Sequence, residues 1–192
     1  MVNDFQTLFQ ADLVNAQNGG TATPALSSPS LVVSPVNSQA RLSDLVSSAT
    51  STIIASSENL GDKSIQAAMI AAAGRGVKVR VLAPECDENP DPTFDLPYLA
   101  ELATGGATVR AMPGPSAASL PYQHAKMIVV DDVRAYIGSV NFSTGSTTDA
   151  RELGIVFADT IAIQMISETF ESDWALGLTP PPASSVSCPT GD

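Results

Sequence analysis

Between residues 122 and 141 the chain reads YQHAKMIVVDDVRAYIGSVN, and this stretch limits what the chain can fold into more than any other. Residues 122–130 and 135–140 are rich in β-branched and apolar types, with the polar run Asp131, Asp132, Val133 and Arg134 between them. The pattern predicts two strands and a tight connection. A turn centred between Asp132 and Val133 sets Val130 opposite Ala135, Lys126 opposite Ser139 and His124 opposite Asn141. Side chains alternate along a strand, so this register gathers an imidazole, an ammonium, a hydroxyl and a carboxamide in one patch. The register requires an even number of residues in the connection; an odd number slips the pairing by one. His124 is the single histidine in 192 residues.

Around this stretch, strand and helix signals alternate. Residues 2–14 carry Phe5, Leu8, Phe9 and Leu13 towards one side of a helix, and residues 15–31 form a loop rich in Gly, Thr, Ser and Pro. A short strand over 31–34 precedes a helix with Ser38 as its expected cap and Leu42, Leu45, Val46 and Ala49 at helical spacing. Residues 52–56 form the next strand. Asp62 then caps an alanine-rich helix that ends at Gly74 and Gly76, and 77–83 (VKVRVLA) is a third strand. The proline-rich acidic segment 85–97 reads as a solvated loop rather than a metal site, because no histidine accompanies its carboxylates. A helix at 98–104, a strand at 108–112 and a flexible lead-in at 113–121 complete the approach to the hairpin. After it come a strand containing Glu152 and a helix capped by Asp159, with Ile163, Ile166 and Phe170 as its apolar stripe and Trp174 closing the core. The fold class that follows is α/β, a mixed β-sheet flanked by helices. Three regions result: an N-terminal helix and linker (1–30), an α/β domain that holds the 122–141 stretch (31–178) and a flexible tail (179–192).

The net charge of −11, with nine basic residues, argues against nucleic acid as a partner and against electrostatic adhesion to anionic membranes. No apolar run is long enough to span a bilayer, and the N-terminus lacks a basic region followed by an apolar one. A soluble protein is expected, and a secreted or extracytoplasmic parent is compatible with this. Cys86 and Cys188 permit two readings, a disulfide tying the tail to the acidic loop or two free thiols.

The patch is chemically specific. Lys126 offers charge to phosphate oxygens, Ser139 and Asn141 offer neutral donors, and a histidine can serve as nucleophile or proton carrier. Glu152, eleven residues beyond Asn141, can orient such an imidazole. The competing reading makes His124 a satisfied core histidine and Lys126 an edge charge. Six residue types at fixed spacings favour the motif.

Written as H-x-K-x4-D-x6-G-S-x-N and followed by ELGIV, these residues resemble the HKD motif of the phospholipase D superfamily. The cadence AAMIAAAGRGVKVRVL is similar to that superfamily as well. One departure is Ala150, where relatives often carry Asn two positions before the glutamate. The resemblance implies a phospholipase D-like α/β sandwich and a candidate catalytic set of His124, Lys126, Asp131 and Glu152, with Lys126, Ser139 and Asn141 on phosphate. Asp131 has a structural role at the turn. The implied chemistry is a phosphohistidine route with no cofactor and no metal. That route uses two histidines, so a chain with one needs a homodimer mate or a second HKD half. The short echo between Phe9-x2-Asp12-Leu13 and Phe170-x2-Asp173-Trp174 fits either a preceding repeat or coincidence. A phospholipid is the favoured phosphodiester, with a nuclease and a non-catalytic scaffold as alternatives.

Overall fold

The computed structural model describes residues 2–86, 93–113, 122–186 and 188. The centre of the acidic loop, most of the lead-in expected at 113–121 and the end of the tail lie outside the described residues. Among the described residues the chain forms a seven-stranded sheet with helices on both faces. The strands are β1 (Leu31–Ser34), β2 (Thr52–Ser56), β3 (Lys78–Pro84), β4 (Thr108–Met112), β5 (Met127–Val130), β6 (Arg134–Gly138) and β7 (Glu152–Phe157). Their order is β1-β7-β6-β5-β2-β3-β4. β2, β3 and β4 are parallel, and the remaining pairs are antiparallel, so the sheet is mixed.

The continuous apolar reading of the central strands has a direct cause: both of their faces are covered. On one side α2 (Ser38–Ser47), α3 (Lys63–Gly74) and α4 (Leu96–Thr104) bury Leu42, Leu45, Ile65, Met69, Leu99 and Leu102 against Ile53, Val79, Val81 and Ile128. Past the short helix α5 (Thr144–Thr148), α6 (Thr160–Leu176) covers the other side and lays Ile163, Phe170 and Trp174 on Ile54, Leu82, Met112 and Val129. Alternate residues of β2 thus serve opposite layers. Each fully buried Leu or Ile contributes about 1.5–3 kcal/mol. Asp62 and Asp159 cap α3 and α6 as expected, each carboxylate accepting from amides of the first turn.

Three local expectations change. The helix α1 (Val2–Asn18) runs beyond residue 14, and of its expected stripe only Leu8 is buried, against Leu31 and Val33. Phe5, Phe9 and Leu13 are exposed. At α2 the N-cap is Asn37, not Ser38. The Asn37 side chain is taken up by the Val33 amide and the Leu31 carbonyl, and Ser38 donates instead to the Thr147 carbonyl. Beyond residue 178 lies the 3-10 turn Ala183–Ser185, and Cys188 is bonded to Cys86. That bond closes the question left open by spacing.

The third change concerns the hairpin. β5 and β6 pair Val130 with Arg134 and Met127 with Ile137, so the connection has three residues and the register is one residue off the expected one. Asp131 and Asp132 both take positive φ, 54° and 55°, which shortens the turn. Lys126 therefore faces Gly138 rather than Ser139, and the Gly138 amide donates to its carbonyl.

Candidate active site

The parallel strands β2 and β3 end at one rim of the sheet, which is where open α/β sheets place ligands. The segment leading into β5 starts at this rim, and β6 ends there. His124 and Lys126 precede β5, Ser139 and Asn141 follow β6, and Glu58 stands in the connection after β2.

Lys126 is 6% exposed and its Nζ is fixed by two bonds, 2.7 Å to Glu58 Oε2 and 2.8 Å to the His124 carbonyl. A buried ammonium requires such a partner. Glu58 Oε2 also lies 2.9 Å from His124 Nε2 and accepts from Asn141 Nδ2 at 3.3 Å. Its second oxygen accepts from the Tyr122 hydroxyl at 3.1 Å. Burial pushes the Glu58 carboxyl up, but the Lys126 bond and charge, then Asn141 and His124, outweigh it and hold the group below its ordinary value. Asn141 Oδ1 accepts from the Asn59 amide at 3.1 Å and the Ser57 hydroxyl at 3.2 Å, which orients its amide. His124 itself is 66% exposed and reaches outwards from the rim. Buried Gln123 beside it donates to the Ser56 hydroxyl and anchors that strand end.

The structure brings His124, Lys126 and Asn141 together. Ser139 and Glu152 do not join this cluster. Ser139 Oγ donates to the Leu153 carbonyl at 3.3 Å and accepts its amide at 3.1 Å, so the hydroxyl clips the loop to β7. Glu152 Oε1 accepts from Ser146 Oγ at 2.5 Å, next to β1. Asp131 lies at the far end of the hairpin, where its carboxylate accepts from the amides of Thr50, Ser51 and Thr52 and from the Thr50 hydroxyl, at 2.8–2.9 Å. Burial opposes its ionisation, yet these donors lower its pKa to about 2.

Gly138 explains how the loop after β6 reaches the site. It sits opposite Gly154 on β7. A Cβ at Gly138 would lie 2.5 Å from the Gly154 Cα and 2.6 Å from the Leu153 carbonyl oxygen. The space serves Tyr136, whose hydroxyl accepts the Val140 amide at 3.1 Å and so fixes the residue between Ser139 and Asn141.

The sequence reading missed Glu58 and Tyr122 as members of the cluster. Glu58 has no fixed spacing to the motif. Its one signal is position: a carboxylate two residues beyond a buried parallel strand, at the rim where open α/β sheets bind ligands.

Beside the cluster lies a trough of about 470 Å³ between β5, β6 and α6. His124 and Lys126 stand at its margin, and Met127, Ile137, Met165, Ile166 and Phe170 give it an apolar wall.

An HKD patch on the rim of a mixed α/β sheet defines a phospholipase D-like domain. Residues 42–174 match the model of the family described as cardiolipin synthase, PLD-like domain, and the chain belongs to this family. It is 34% identical over 113 residues to phospholipase D Z of Dictyostelium discoideum, covering 57% of this chain and 25% of that protein. It is 35% identical over 106 residues to the 5'-3' exonuclease PLD3 of Bos taurus, covering 55% and 21%. The chain thus spans about a quarter or less of the length of these relatives. The fold matches the crystal structure of Nuc from Salmonella typhimurium, a phospholipase D family member, with a TM-score of 0.68 at 23% identity. That match covers 77% of this chain and 94% of Nuc.

Proposed function

We propose that this domain cleaves or transfers phosphodiesters of phospholipids, with His124 as the residue that takes up the phosphoryl group. In this reading a nitrogen of His124 attacks phosphorus and the bond from phosphorus to the departing alcohol oxygen breaks. The alcohol takes a proton from the histidine of a second motif. Water or an acceptor alcohol then loses its proton to that second histidine and attacks phosphorus, releasing His124. Lys126 and Asn141 offset charge on the non-bridging oxygens, the work a metal ion does elsewhere. The second motif comes from a homodimer mate or from another half of a longer protein. Phosphate binding by Ser139 and orientation of His124 by Glu152 stay part of this proposal, although in the single chain each is bonded elsewhere.

One observation carries the choice of lipid: the apolar trough of about 470 Å³ opens beside His124. An acyl or glycerol segment fits that wall, and burying it yields about 0.8 kcal/mol per CH₂. The net charge of −11 supports the same choice, since it repels a polyanion.

The test incubates the protein with phosphatidylcholine vesicles, ethanol and EDTA, beside a His124→Asn control. Phosphatidylethanol that disappears in the variant is expected. A dimeric, folded sample that yields no lipid product contradicts the reading. The likeness to a 5'-3' exonuclease makes nuclease the second reading. It predicts DNA cleavage in EDTA with a steep fall as salt is added.

A further inference from the structure

Glu58 lies outside the motif, yet one of its oxygens touches three of the motif's groups. Oε2 is 2.7 Å from Lys126 Nζ, 2.9 Å from His124 Nε2 and 3.3 Å from Asn141 Nδ2. An attacking imidazole nitrogen and the donors that hold phosphate must converge on the substrate phosphoryl group, so this oxygen stands where a phosphate oxygen has to go. We propose that Glu58 is a resident anion in the phosphate seat, which a substrate must turn aside before His124 can attack. The proposal rests on the reading of His124, Lys126 and Asn141 as the phosphoryl-binding groups.

Three features fit an exchangeable occupant. First, Glu58 is charged at neutral pH, because its neighbours hold the carboxyl low despite burial. It therefore competes as an anion and cancels the Lys126 charge that would otherwise attract phosphate. Second, the backbone around it is fixed independently of its carboxylate. The Asn59 amide donates to Asn141 Oδ1, the Leu60 amide to Asp95 Oδ1 and the Phe142 amide to Ser57 Oγ. Side-chain torsions of Glu58 alone can then clear the seat. Third, the two phosphate donors stay in place when it swings away: Lys126 keeps its bond to the His124 carbonyl and Asn141 keeps its bonds to Asn59 and Ser57, while the Tyr122 hydroxyl on the second oxygen gives up its bond to Glu58.

The consequence is selectivity. A small phosphate gains at this seat only what Glu58 gives up. A diester whose apolar part also fills the trough along Met127, Ile137 and Met165 gains burial energy that offsets the displacement. Glu58 thus favours lipid-borne phosphodiesters over free phosphate and short diesters.

Inorganic orthophosphate is the probe. Its affinity is read from the ring signals of His124, the only histidine, in proton spectra of the intact chain. Glu58→Gln and Glu58→Ala are expected to bind orthophosphate about ten-fold more tightly or better, since a like charge in contact with the ligand has gone. Adding Lys126→Ala to Glu58→Gln is expected to abolish that gain. If both Glu58 variants bind as weakly as the wild type or more weakly while Lys126 still matters, Glu58 builds the seat rather than fills it, and the proposal is overturned. If Lys126→Ala changes nothing in the Glu58→Gln background, the phosphate-seat reading itself fails and takes the proposal with it. Should the variants not fold, the wild type decides: saturating orthophosphate must shift the Glu58 carboxyl ¹³C signal, and an unmoved signal contradicts the displacement.

Discussion

At the turn end of the β5–β6 hairpin, Asp131 accepts three backbone amides and one hydroxyl from the segment 50–52. At the open end Glu58 accepts from side chains, those of Lys126, Asn141 and Tyr122, and faces His124. Both carboxyls are held below their ordinary values, although burial opposes each. The difference lies in the donors. Backbone amides of Thr50, Ser51 and Thr52 cannot be redirected, so Asp131 is a staple between two loops. Lys126 and Asn141 each hold a further partner, so their bonds to Glu58 can be exchanged for bonds to a substrate. One carboxylate therefore belongs to stability and the other to the site.

Substitutions can break that division. The largest effect is expected from His124→Asn, which removes the proposed nucleophile. Phosphodiester turnover should fall by at least about 10³-fold while the melting curve stays close to that of the wild type. Residual turnover within ten-fold of wild type would move the chemistry away from the open end. Next comes Gly138→Ala. Two of the atoms opposing a new Cβ are backbone, which cannot rotate away, and the third is the hydroxyl of buried Tyr136, so stability should drop by about 3 kcal/mol in urea titrations, the upper end for overpacking. Asp131→Ala follows at about 2 kcal/mol, the worth of bonds to one charged group, with the amides at 50–52 losing their acceptor.

The smallest effect is a pH dependence. Asp131 has a pKa of about 2 in the folded chain against 3.8 for the free side chain. A depressed carboxylate stabilises the fold above the unfolded value, and the contribution is lost as pH falls from about 4 to about 2. Unfolding titrations across that window should show an acid slope that Asp131→Asn reduces. An unchanged slope would mean that Asp131 is no staple. Glu58 adds to the same acid loss in direction, which is why the variant, not the slope alone, assigns the part due to Asp131.

Much of this molecule is legible in its sequence, and the exceptions share a cause. β2 at Thr52–Ser56 and the Asp62 and Asp159 caps follow from local pattern, because periodicity and capping are local physics. The motif spacing placed His124, Lys126 and Asn141 together although the assumed register was one residue off. Register depends on turn geometry, and two successive Asp residues in the left-handed region leave no signal in hydrophobic pattern. Glu58 was unreadable for another reason. It meets Lys126 across 68 positions, through the antiparallel pairing of β2 with β5, which no spacing within a motif encodes. The half-exposed stripe of α1 shows the same limit: Phe9 and Leu8 look alike in sequence, but only Leu8 finds β1.

The central claim is that His124 carries the phosphoryl group, and intact-mass analysis of a quenched reaction tests it most directly. Protein mixed with a short-chain phosphatidylcholine and stopped in alkaline denaturant, which preserves a phosphorus–nitrogen bond, should show an added phosphatidyl mass on the peptide containing His124. His124→Asn should show none. Product formation at an undiminished rate in His124→Asn, with no adduct on the wild-type peptide, would contradict the account.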